Sequence, residues 1–515
     1  MRSKISKWML GVLIVGLIIA AGAHLFVSSE IDHVLGGDTD VVDIAHFKTV
    51  SGKLAIANVN LLSTDALSML PNQTVLVEDR NIESVGQDIV IPADYHVIDG
   101  TGQYLIPGLV DSHVHIKKSR NDLLLYVVNG VTQVGEMTGM ESHFELRKQI
   151  QDGALGPDIF IASPKVTSQA GLNPTLRSWY DKRHQIFISP EAGREAVREY
   201  KAKGYEAIKI GSDLSVDIYI AINDEAGKAG LPVIGHLPTG LGLEDLYRSG
   251  QSQLAHLSSI IQATEHEFGG LSSANSQAYL DFINQNADRI AAEFKTNNIA
   301  LSSTIWLHHT RLEHAFDLPN FLKTIELEYQ NPGWIEGSVI STGWLPGNKS
   351  YENPNSSDAE SQRPTRIVWN TYKEAIDVMI QALVRHGVTI MAGTDAHGAP
   401  GVIAGFSLHD ELLALRNAGL SNAQVLHSAT LAPAQWFGTN AGKIQPGHEA
   451  DLVLLSKNPL QDIENTRHIN AVITNGLYLD RNELDTILAA VKAANNRSRK
   501  TSIDAFLEQV SNRTQ

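Results

Sequence analysis

The sequence predicts an α/β fold: a (β/α)8 barrel of the TIM type, a small β-sandwich formed by both chain ends, and an N-terminal transmembrane helix. Between Leu109 and Phe437, short apolar segments alternate with helical patterns, which is typical of such a barrel. The flanks of this region are rich in short strands, and the chain begins with a long apolar run.

The N-terminus carries Arg2, Lys4 and Lys7, followed by a run from Trp8 to Val27 without a fixed charge. A helix of about 20 apolar residues spans a bilayer, and the basic flank keeps the N-terminus in the cytoplasm. We therefore predict a membrane anchor or signal segment over 1–28 and a polar stem over 29–48. The remainder would be extracytoplasmic, and periplasmic in a bacterium. Small residues at 21–23 also suit cleavage, which leaves secretion as the alternative.

Short strands with intervening turn residues precede and follow the barrel. They are predicted within 53–62, 73–86, 95–108, 441–463 and 469–480. We assign 49–107 and 438–482 to one composite β-sandwich. The tail, 483–515, has apolar residues at helical spacing and is predicted to contain an amphipathic helix.

The barrel is predicted over 108–437 and contains eight strands, numbered 1 to 8 here. They are expected within 109–115, 130–137, 158–166, 205–211, 231–237, 252–257, 298–306 and 387–396. Helical patterns fill most of the gaps, for example 190–203 and 215–229. The connection over 318–364 is unusually long and contains Trp334 and Trp344. Such segments are typically lids, binding loops or disordered regions.

Composition excludes several kinds of chemistry. The net charge of −16 over 515 residues argues against a general affinity for nucleic acid. The chain has no cysteine, so disulfides, thiolate metal sites and cysteine nucleophiles are excluded. Any metal ion must be held by histidine, carboxylate or lysine-derived groups.

Polar side chains occur where the predicted barrel strands end, which is where TIM-barrel enzymes bind their substrates. One buried histidine is more often a hydrogen-bonded core residue than a ligand. Several at equivalent positions indicate a metal site, because imidazole and carboxylate suit zinc and similar ions. The candidate ligands are His113, His115, Lys209, His236, His256 and Asp395.

The motifs around these residues are "IPGLVDSHVH", "IKI", "VIGHL", "LAHL" and "AGTDA", followed by "ATLAPAQWFG" and "GKIQPGHEADLVLLSKNPLQDI". Together they resemble the amidohydrolase superfamily, and the last two resemble its imidazolonepropionase-like and prolidase-like branch. The resemblance implies two divalent metal ions, zinc first by ligand type. His113, His115 and Asp395 would hold one ion, and His236 and His256 the other. Carbon dioxide would carboxylate Lys209, and this carbamate would bridge both ions.

The resemblance also implies a reaction: hydrolysis of an amide or peptide C–N bond in a small substrate such as a dipeptide or N-acyl amino acid. A hydroxide between the metals would attack, and Asp395 would be the catalytic proton carrier. The expected partners are this substrate and a membrane, without nucleic acid; a homo-oligomer is left open.

Three alternatives stand beside this interpretation. They are a one-metal imidazolonepropionase-like cyclic-amide hydrolase or deaminase, a promiscuous lactonase or phosphotriesterase, and a non-catalytic scaffold. Members of the one-metal kind generally lack the lysine of strand 4, so Lys209 argues for two metals. The complete ligand set argues against a scaffold.

Other residues are weaker candidates. Substrate contacts are expected among Glu136, Trp306, His309 and His397. Arg311 or Arg363 is a candidate partner for a substrate carboxylate, because a carboxylate needs a cationic or hydrogen-bonding group. Asp111 is expected to be structural, and His184 has no argument for function. In strand 2, Gly135 stands where related sequences commonly have arginine.

Overall fold

The computed structural model describes residues 2–168, 182–339, 341–345, 358–396 and 400–506, with side chains from Gly11 onward. The fold is mixed α/β. Its helices span Arg2–Leu35, Asn121–Val128, Glu141–Gln151, Pro190–Lys203, Val216–Ala229, Leu243–Ser249, Leu257–Phe268, Ser276–Thr296, Trp306–His309, Arg311–Phe316, Leu318–Phe321, Pro332–Glu336, Ala359–Arg385, Phe406–Asn417, Asn422–Ser428, Leu431–Phe437 and Arg481–Ser498.

The eight barrel strands are parallel and follow one another in chain order. They span Leu109–Val114, Val131–Glu136, Asp158–Ile161, Ile208–Ile210, Val233–Gly235, Gln253–Ala255, Ala300–Ser302 and Ile390–Met391. Strands 1 to 3 form one sheet, and strands 4 to 8 belong to a second. Parallel bridges join Ala162 to Ala207 and Val114 to Ala396, so the edges of the two sheets adjoin on both sides.

Strand 7 is shorter than predicted because a buried carboxylate starts a helix after it. Glu411 accepts hydrogen bonds from the backbone N–H groups of Ile305, at 3.0 Å, and Trp306, at 2.7 Å. The free N–H groups of a helix start need acceptors of this kind. Trp306 therefore begins a helix instead of ending the strand.

The helix over Pro190–Lys203 has the limits that its sequence predicts. The Ser189 hydroxyl accepts a hydrogen bond from the N–H of Ala192, and Pro190 occupies the first turn, where its missing N–H costs nothing. Gly204 ends the helix at φ +88°, a conformation that favours glycine.

Both chain ends contribute to one nine-stranded sheet. Its strands are Val50–Ser51, Lys53–Leu62, Met69–Glu78, Asn81–Gly86, His96–Asp99 and Tyr104–Pro107 from the first flank, and Leu452–Leu455, Ile469–Thr474 and Leu477–Asp480 from the second. The flanks meet where Tyr104–Pro107 pairs antiparallel with Leu452–Leu455. Buried side chains such as Leu54, Val75 and Ile473 form a core of its own under this sheet.

The N-terminal helix differs from the sequence prediction at its end. Residues 11–26 are exposed, and the Gly11–Leu35 part is long and apolar enough to cross a membrane. Residues 29–48 were expected to be a polar stem, but the helix continues to Leu35. His33 and Val34 are buried against the rest of the protein. The first part of the predicted stem is thus helical and finds packing partners in the body, and the stem bounds stay a prediction.

The described part of the long connection is not an irregular loop. It contains the helices Leu318–Phe321 and Pro332–Glu336, and a hairpin of Gly337–Ser338 with Ser341–Thr342. Trp344 is fully buried in an apolar cluster. The helix Ala359–Arg385 already begins before residue 364, where the connection was expected to end.

Candidate metal centre

Strand 1 brings two histidines to the end of the barrel, and a buried carboxylate fixes their position. Asp111 accepts hydrogen bonds from Thr394, through its N–H at 3.0 Å and its hydroxyl at 2.7 Å, and from the N–H of His113 at 3.3 Å. Asp111 thus ties strand 1 to the residues after strand 8. These hydrogen bonds fit the structural role expected of Asp111. Asp395, the residue after Thr394, faces the histidines.

The structure brings the six predicted ligands together. Asp395 Oδ1 lies 3.0 Å from His115 Nε2 and 3.5 Å from His113 Nε2. Lys209, only 1% exposed, places Nζ 3.4 Å from His113 Nε2. The rings of His236 and His256 follow, with centroids 5.0 Å apart, and the His256 ring lies 4.7 Å from that of His113.

Hydroxyl groups orient two of the imidazoles. His115 Nδ1 lies 2.9 Å from the Thr138 hydroxyl, and His256 Nδ1 lies 2.8 Å from the Thr304 hydroxyl. In each ring the Nε2 atom is left for a metal ion. A metal-binding histidine commonly uses its second nitrogen in this way, which fixes the ring orientation.

Burial favours the neutral form of these groups. It lowers the pKa of His113, His115, His236 and His256 well below the usual value for histidine. It also lowers the pKa of Lys209 to about 7, although the nearby Asp395 carboxylate acts in the opposite direction. Metal ions bind neutral imidazole, so the histidines are in the binding form.

The donor set fits divalent metal ions. Ligand atoms of His113, His256 and Asp395 all lie within 4.8 Å of one another. Four neutral imidazoles and one carboxylate are donors that suit zinc. The buried amine of Lys209 touches an imidazole nitrogen and would repel a cation as an ammonium ion. A metal at this position therefore requires Lys209 to be neutral or modified.

The ligands open into a cavity of about 270 Å³. Among the described residues its lining also includes Lys117, Thr138, Lys165, Arg183, His184 and Trp334. Sequence reasoning missed the three cations. Lys117 and Lys165 follow the ends of strands 1 and 3, so the rule that found the histidines would have found them. Arg183 and His184 lie in or beside the short strand His184–Ile186, which carried no sequence signal.

The described residues among the weaker candidates do not line the cavity. Glu136 is buried, and its carboxylate accepts hydrogen bonds from the backbone of Ile116 and Thr138. It therefore positions Thr138, the partner of His115, and does not face the cavity. Trp306 packs 6.3 Å from the ring of Phe321.

His309 Nε2 lies 3.3 Å from Asp377 Oδ1. The described lining of the cavity does not include Glu136, Trp306, His309, Arg311 or Arg363. His397 lies outside the described residues. His184, which had no functional argument, does line the cavity.

Gly135 has no room for a side chain. A Cβ atom there would lie 2.6 Å from the backbone oxygen of Ser112 and 2.7 Å from the ring of Phe437. Phe437 in turn stacks on Phe160, with ring centroids 4.4 Å apart. An aromatic stack fills the space in which related sequences commonly carry an arginine.

Comparisons with known proteins agree with this geometry. A family model described as "Amidohydrolase family" matches residues 104–478. The fold is similar to that of bottromycin amidohydrolase, with a TM-score of 0.65 and 21% identity, over 86% of this chain and 90% of that chain. It is also similar to a prolidase complexed with N-methylphosphonate-L-proline, with a TM-score of 0.60 and 20% identity, over 83% and 100% of the two chains. These identities establish the fold and leave the substrate open.

Sequence matches to curated proteins are short. A stretch of 44 residues is 48% identical to a dihydroorotase of Mycobacterium tuberculosis, covering 8% of this chain and 10% of that protein. Another 44-residue match is 41% identical to an imidazolonepropionase of Vibrio cholerae, covering 8% and 11%. The chain thus matches about a tenth of the length of these relatives.

Proposed function

The chain belongs to the amidohydrolase family, and we propose that it is a metal-dependent hydrolase that cleaves the C–N bond of a short peptide or N-acyl amino acid. Members of this family generally bind divalent metals. The observation that carries the proposal is the buried Lys209, 3.4 Å from His113 Nε2 at the base of a cavity whose lining includes three cations. Two bridges between the strand sheets support a closed (β/α)8 barrel around it.

We assign two metal ions to six side chains. His113, His115 and Asp395 would hold one ion, and His236 and His256 the other. Lys209 would bridge them after its neutral amine adds carbon dioxide. In that step a bond forms between Nζ and carbon, a proton leaves, and a carbamate anion replaces a group that would otherwise be cationic.

When bound, two divalent ions make water nucleophilic near neutral pH and polarise a carbonyl group. The chain's own contribution is proton transfer. Asp395 Oδ1, 3.0 Å from His115 Nε2, would accept the proton of the attacking water and deliver it to the leaving nitrogen. The neighbouring imidazoles are neutral and supply no competing proton.

The cavity lining favours a substrate with a free carboxylate. Lys117, Lys165 and Arg183 line its mouth in a chain whose net charge is −16. A cationic group recognises a carboxylate through charge-assisted hydrogen bonds, and arginine does so with two parallel bonds. We therefore assign carboxylate recognition to these three side chains, in place of Arg311 and Arg363.

The cavity lining also contains Trp334. Its flat ring suits an apolar side chain or acyl group. Trp344, the second tryptophan of the long connection, lies instead in the apolar cluster that includes Leu318 and Phe321. The cavity therefore has one tryptophan from the long connection.

The N-terminal helix supports attachment to a membrane. Its exposed apolar part, Gly11–Phe26, and the basic leader before it support an anchor with the barrel on the extracytoplasmic side. Protease added to spheroplasts should then digest the barrel. A mature N-terminus near His24 would instead show cleavage of a signal segment.

A substrate panel tests the activity. The purified full chain, loaded with zinc, manganese or cobalt, should hydrolyse dipeptides or N-acyl amino acids and should lose this activity when their carboxylate is amidated. Arg183→Met should raise KM at least about tenfold, because a charged hydrogen bond is worth roughly 1.5–3 kcal/mol. The matched control is Arg198→Met, which removes the ion pairs to Glu191 and Glu225 of a side chain that is not part of the cavity lining. Turnover only of cyclic imides, aromatic amines, lactones or organophosphates would reject the proposal.

A further inference from the structure

The N-terminal helix changes its surroundings abruptly near Val27. Residues 11–26 are exposed on all sides, whereas the following turns are partly or fully buried. The last apolar residue of the predicted span is also Val27. The apolar run from Trp8 to Val27 has the length of a membrane span, and we call the mostly buried residues 28–35 that follow it the docking segment.

The docking segment packs on the helix Pro332–Glu336 of the long connection. A Cβ atom at Gly333 would overlap the backbone oxygen of His33, so the two helices touch through their backbones. The His33 ring lies between Asp38, at 2.9 Å, and Glu336, at 3.7 Å. Glu30 accepts a hydrogen bond from the N–H of Val339 at 3.2 Å.

The same contact reaches the cavity. Trp334 follows Gly333 directly and lines the cavity, and Lys117 Nζ lies 6.0 Å from the centre of its ring. Lys118 donates its backbone N–H to the oxygen of Leu35 at 2.9 Å, and its ammonium group pairs with Asp32. One wall of the cavity and the end of strand 1 are therefore both held by the docking segment.

The distance from this wall to the membrane is short. An α-helix rises 1.5 Å per residue, so His33 lies about 9 Å beyond Val27 along the helix. The polar layer on each side of a bilayer is roughly 5–8 Å thick, since about 30 Å of hydrocarbon lies within 40–45 Å in total. The wall at Trp334 therefore borders the headgroup layer, where tryptophan is favoured.

We infer that the enzyme draws its substrate from the membrane surface, and that this substrate is an N-acyl amino acid with a long acyl chain. The carboxylate would meet the cavity cations Lys117, Lys165 and Arg183, while the acyl chain passes Trp334 into the bilayer. This inference rests on the proposed amide hydrolysis and on the membrane anchor. It adds the substrate class and the route by which the substrate arrives.

The test compares two ways of presenting one substrate. The metal-loaded full chain is reconstituted into phosphatidylcholine vesicles. The N-hexadecanoyl derivative of the amino acid that the substrate panel ranks first is placed either in the same vesicles or in separate, enzyme-free vesicles. Its initial rate should be at least about tenfold higher in the same vesicles, because a shared surface raises the effective concentration. The water-soluble N-acetyl derivative should be hydrolysed equally in both mixtures.

Two variants test the docking segment. Gly333→Ala should remove most of the same-vesicle advantage, because its Cβ atom displaces the helix end from the cavity wall. Gly227→Ala is the matched control, since a Cβ atom there meets nothing within 4 Å. If Gly333→Ala does not fold, Lys118→Met removes the ion pair to Asp32 instead and should reduce the advantage less.

The outcomes separate the two proposals. Equal rates from shared and separate vesicles, with the N-acetyl derivative still hydrolysed, would overturn the membrane route and leave amide hydrolysis intact. A same-vesicle advantage that survives both Gly333→Ala and Lys118→Met would overturn the role of the docking segment. Hydrolysis of dipeptides but of no acyl amino acid would overturn the inferred substrate class, and hydrolysis of neither by the metal-loaded chain would overturn the proposed function itself.

Discussion

Among the described residues, two groups of three ligand-type side chains each have their ligand atoms within 4.8 Å of one another. The barrel group contains His113, His256 and Asp395. The junction group contains Asp158, Glu449 and Asp451. Of the two, only the barrel group contributes to the cavity that we assign to the substrate, through His256 and Asp395.

The groups differ in how their charge is balanced. Burial raises the pKa of Asp158, Glu449 and Asp451, and the guanidinium group of Arg80 counteracts this for all three. Arg80 lies 3.4 Å from Asp158. The barrel group instead combines two imidazoles, whose pKa values burial lowers, with one carboxylate, and burial lowers the pKa of the adjacent Lys209 to about 7. Proximity alone therefore does not identify a metal site, since the junction group already has a cation from the chain itself.

The junction group has a structural position. Asp158 begins strand 3, whereas Asp451 directly precedes the strand Leu452–Leu455 of the nine-stranded sheet. Asp451 also accepts a hydrogen bond from the N–H of Asn475 at 3.1 Å. We therefore expect this group to join the barrel to the sheet, and the following changes should separate the two groups.

The largest effect is expected from Asp395→Asn. It should lower kcat/KM by more than about 10⁴-fold, because it removes a metal ligand and the proton carrier together. Asparagine tolerates the φ of +59° at this position, so the backbone should be preserved. Steady-state kinetics measures the loss. The matched change Asp158→Asn should alter kcat/KM less than about threefold, and a similar loss in both variants would contradict the distinction.

Lys209→Met should lower kcat/KM by more than about 100-fold. This exceeds the loss of roughly 10–100-fold that is typical when a residue that only hydrogen-bonds to a metal ligand is replaced. The methionine side chain fills the buried space but cannot form a carbamate. In the wild-type protein, recovery of activity on adding metal to metal-free protein should require bicarbonate. Recovery that is equally fast in solutions stripped of carbon dioxide would speak against the carbamate.

Thr138→Val should weaken metal binding by about 10–100-fold, because the hydroxyl that orients His115 is lost. Competition with a chelator measures this affinity. Thr264→Val is the matched control, because it also removes a buried threonine hydroxyl, one that forms a hydrogen bond with the Tyr279 hydroxyl. An unchanged metal affinity in Thr138→Val would show that His115 needs no orienting partner.

Arg80→Met should leave metal content and kcat/KM nearly unchanged while lowering the free energy of unfolding by about 1–2 kcal/mol. The pKa values of the junction carboxyl groups are higher in the folded than in the unfolded chain, so their protonated forms contribute to the free energy of unfolding. This contribution is complete below pH about 4 and is lost as the pH rises through the folded-state pKa values. Without Arg80 these pKa values rise further. Urea unfolding should therefore show a larger deficit at pH 8 than at pH 5.5, whereas an equal deficit would contradict this coupling.

The site was easier to predict from sequence than its surroundings. His113, His115 and Asp395 follow from one rule, that function gathers where parallel strands end, and Lys117 and Lys165 obey the same rule. Arg183 and the contact of His33 with Gly333 depend on packing between distant segments, which leaves no local pattern. Trp334 and Trp344 were indistinguishable in sequence, because only the packing of the long connection decides which of them faces the cavity.

The most direct test is the metal content of four purified full-length proteins, measured by elemental analysis after dialysis. The account predicts two divalent ions per chain in the wild type, in Asp158→Asn and in Arg80→Met, and at most one in Lys209→Met. Two retained ions in Lys209→Met, or the loss of an ion from Asp158→Asn, would contradict the assignment of both metals to the six side chains at the end of the barrel.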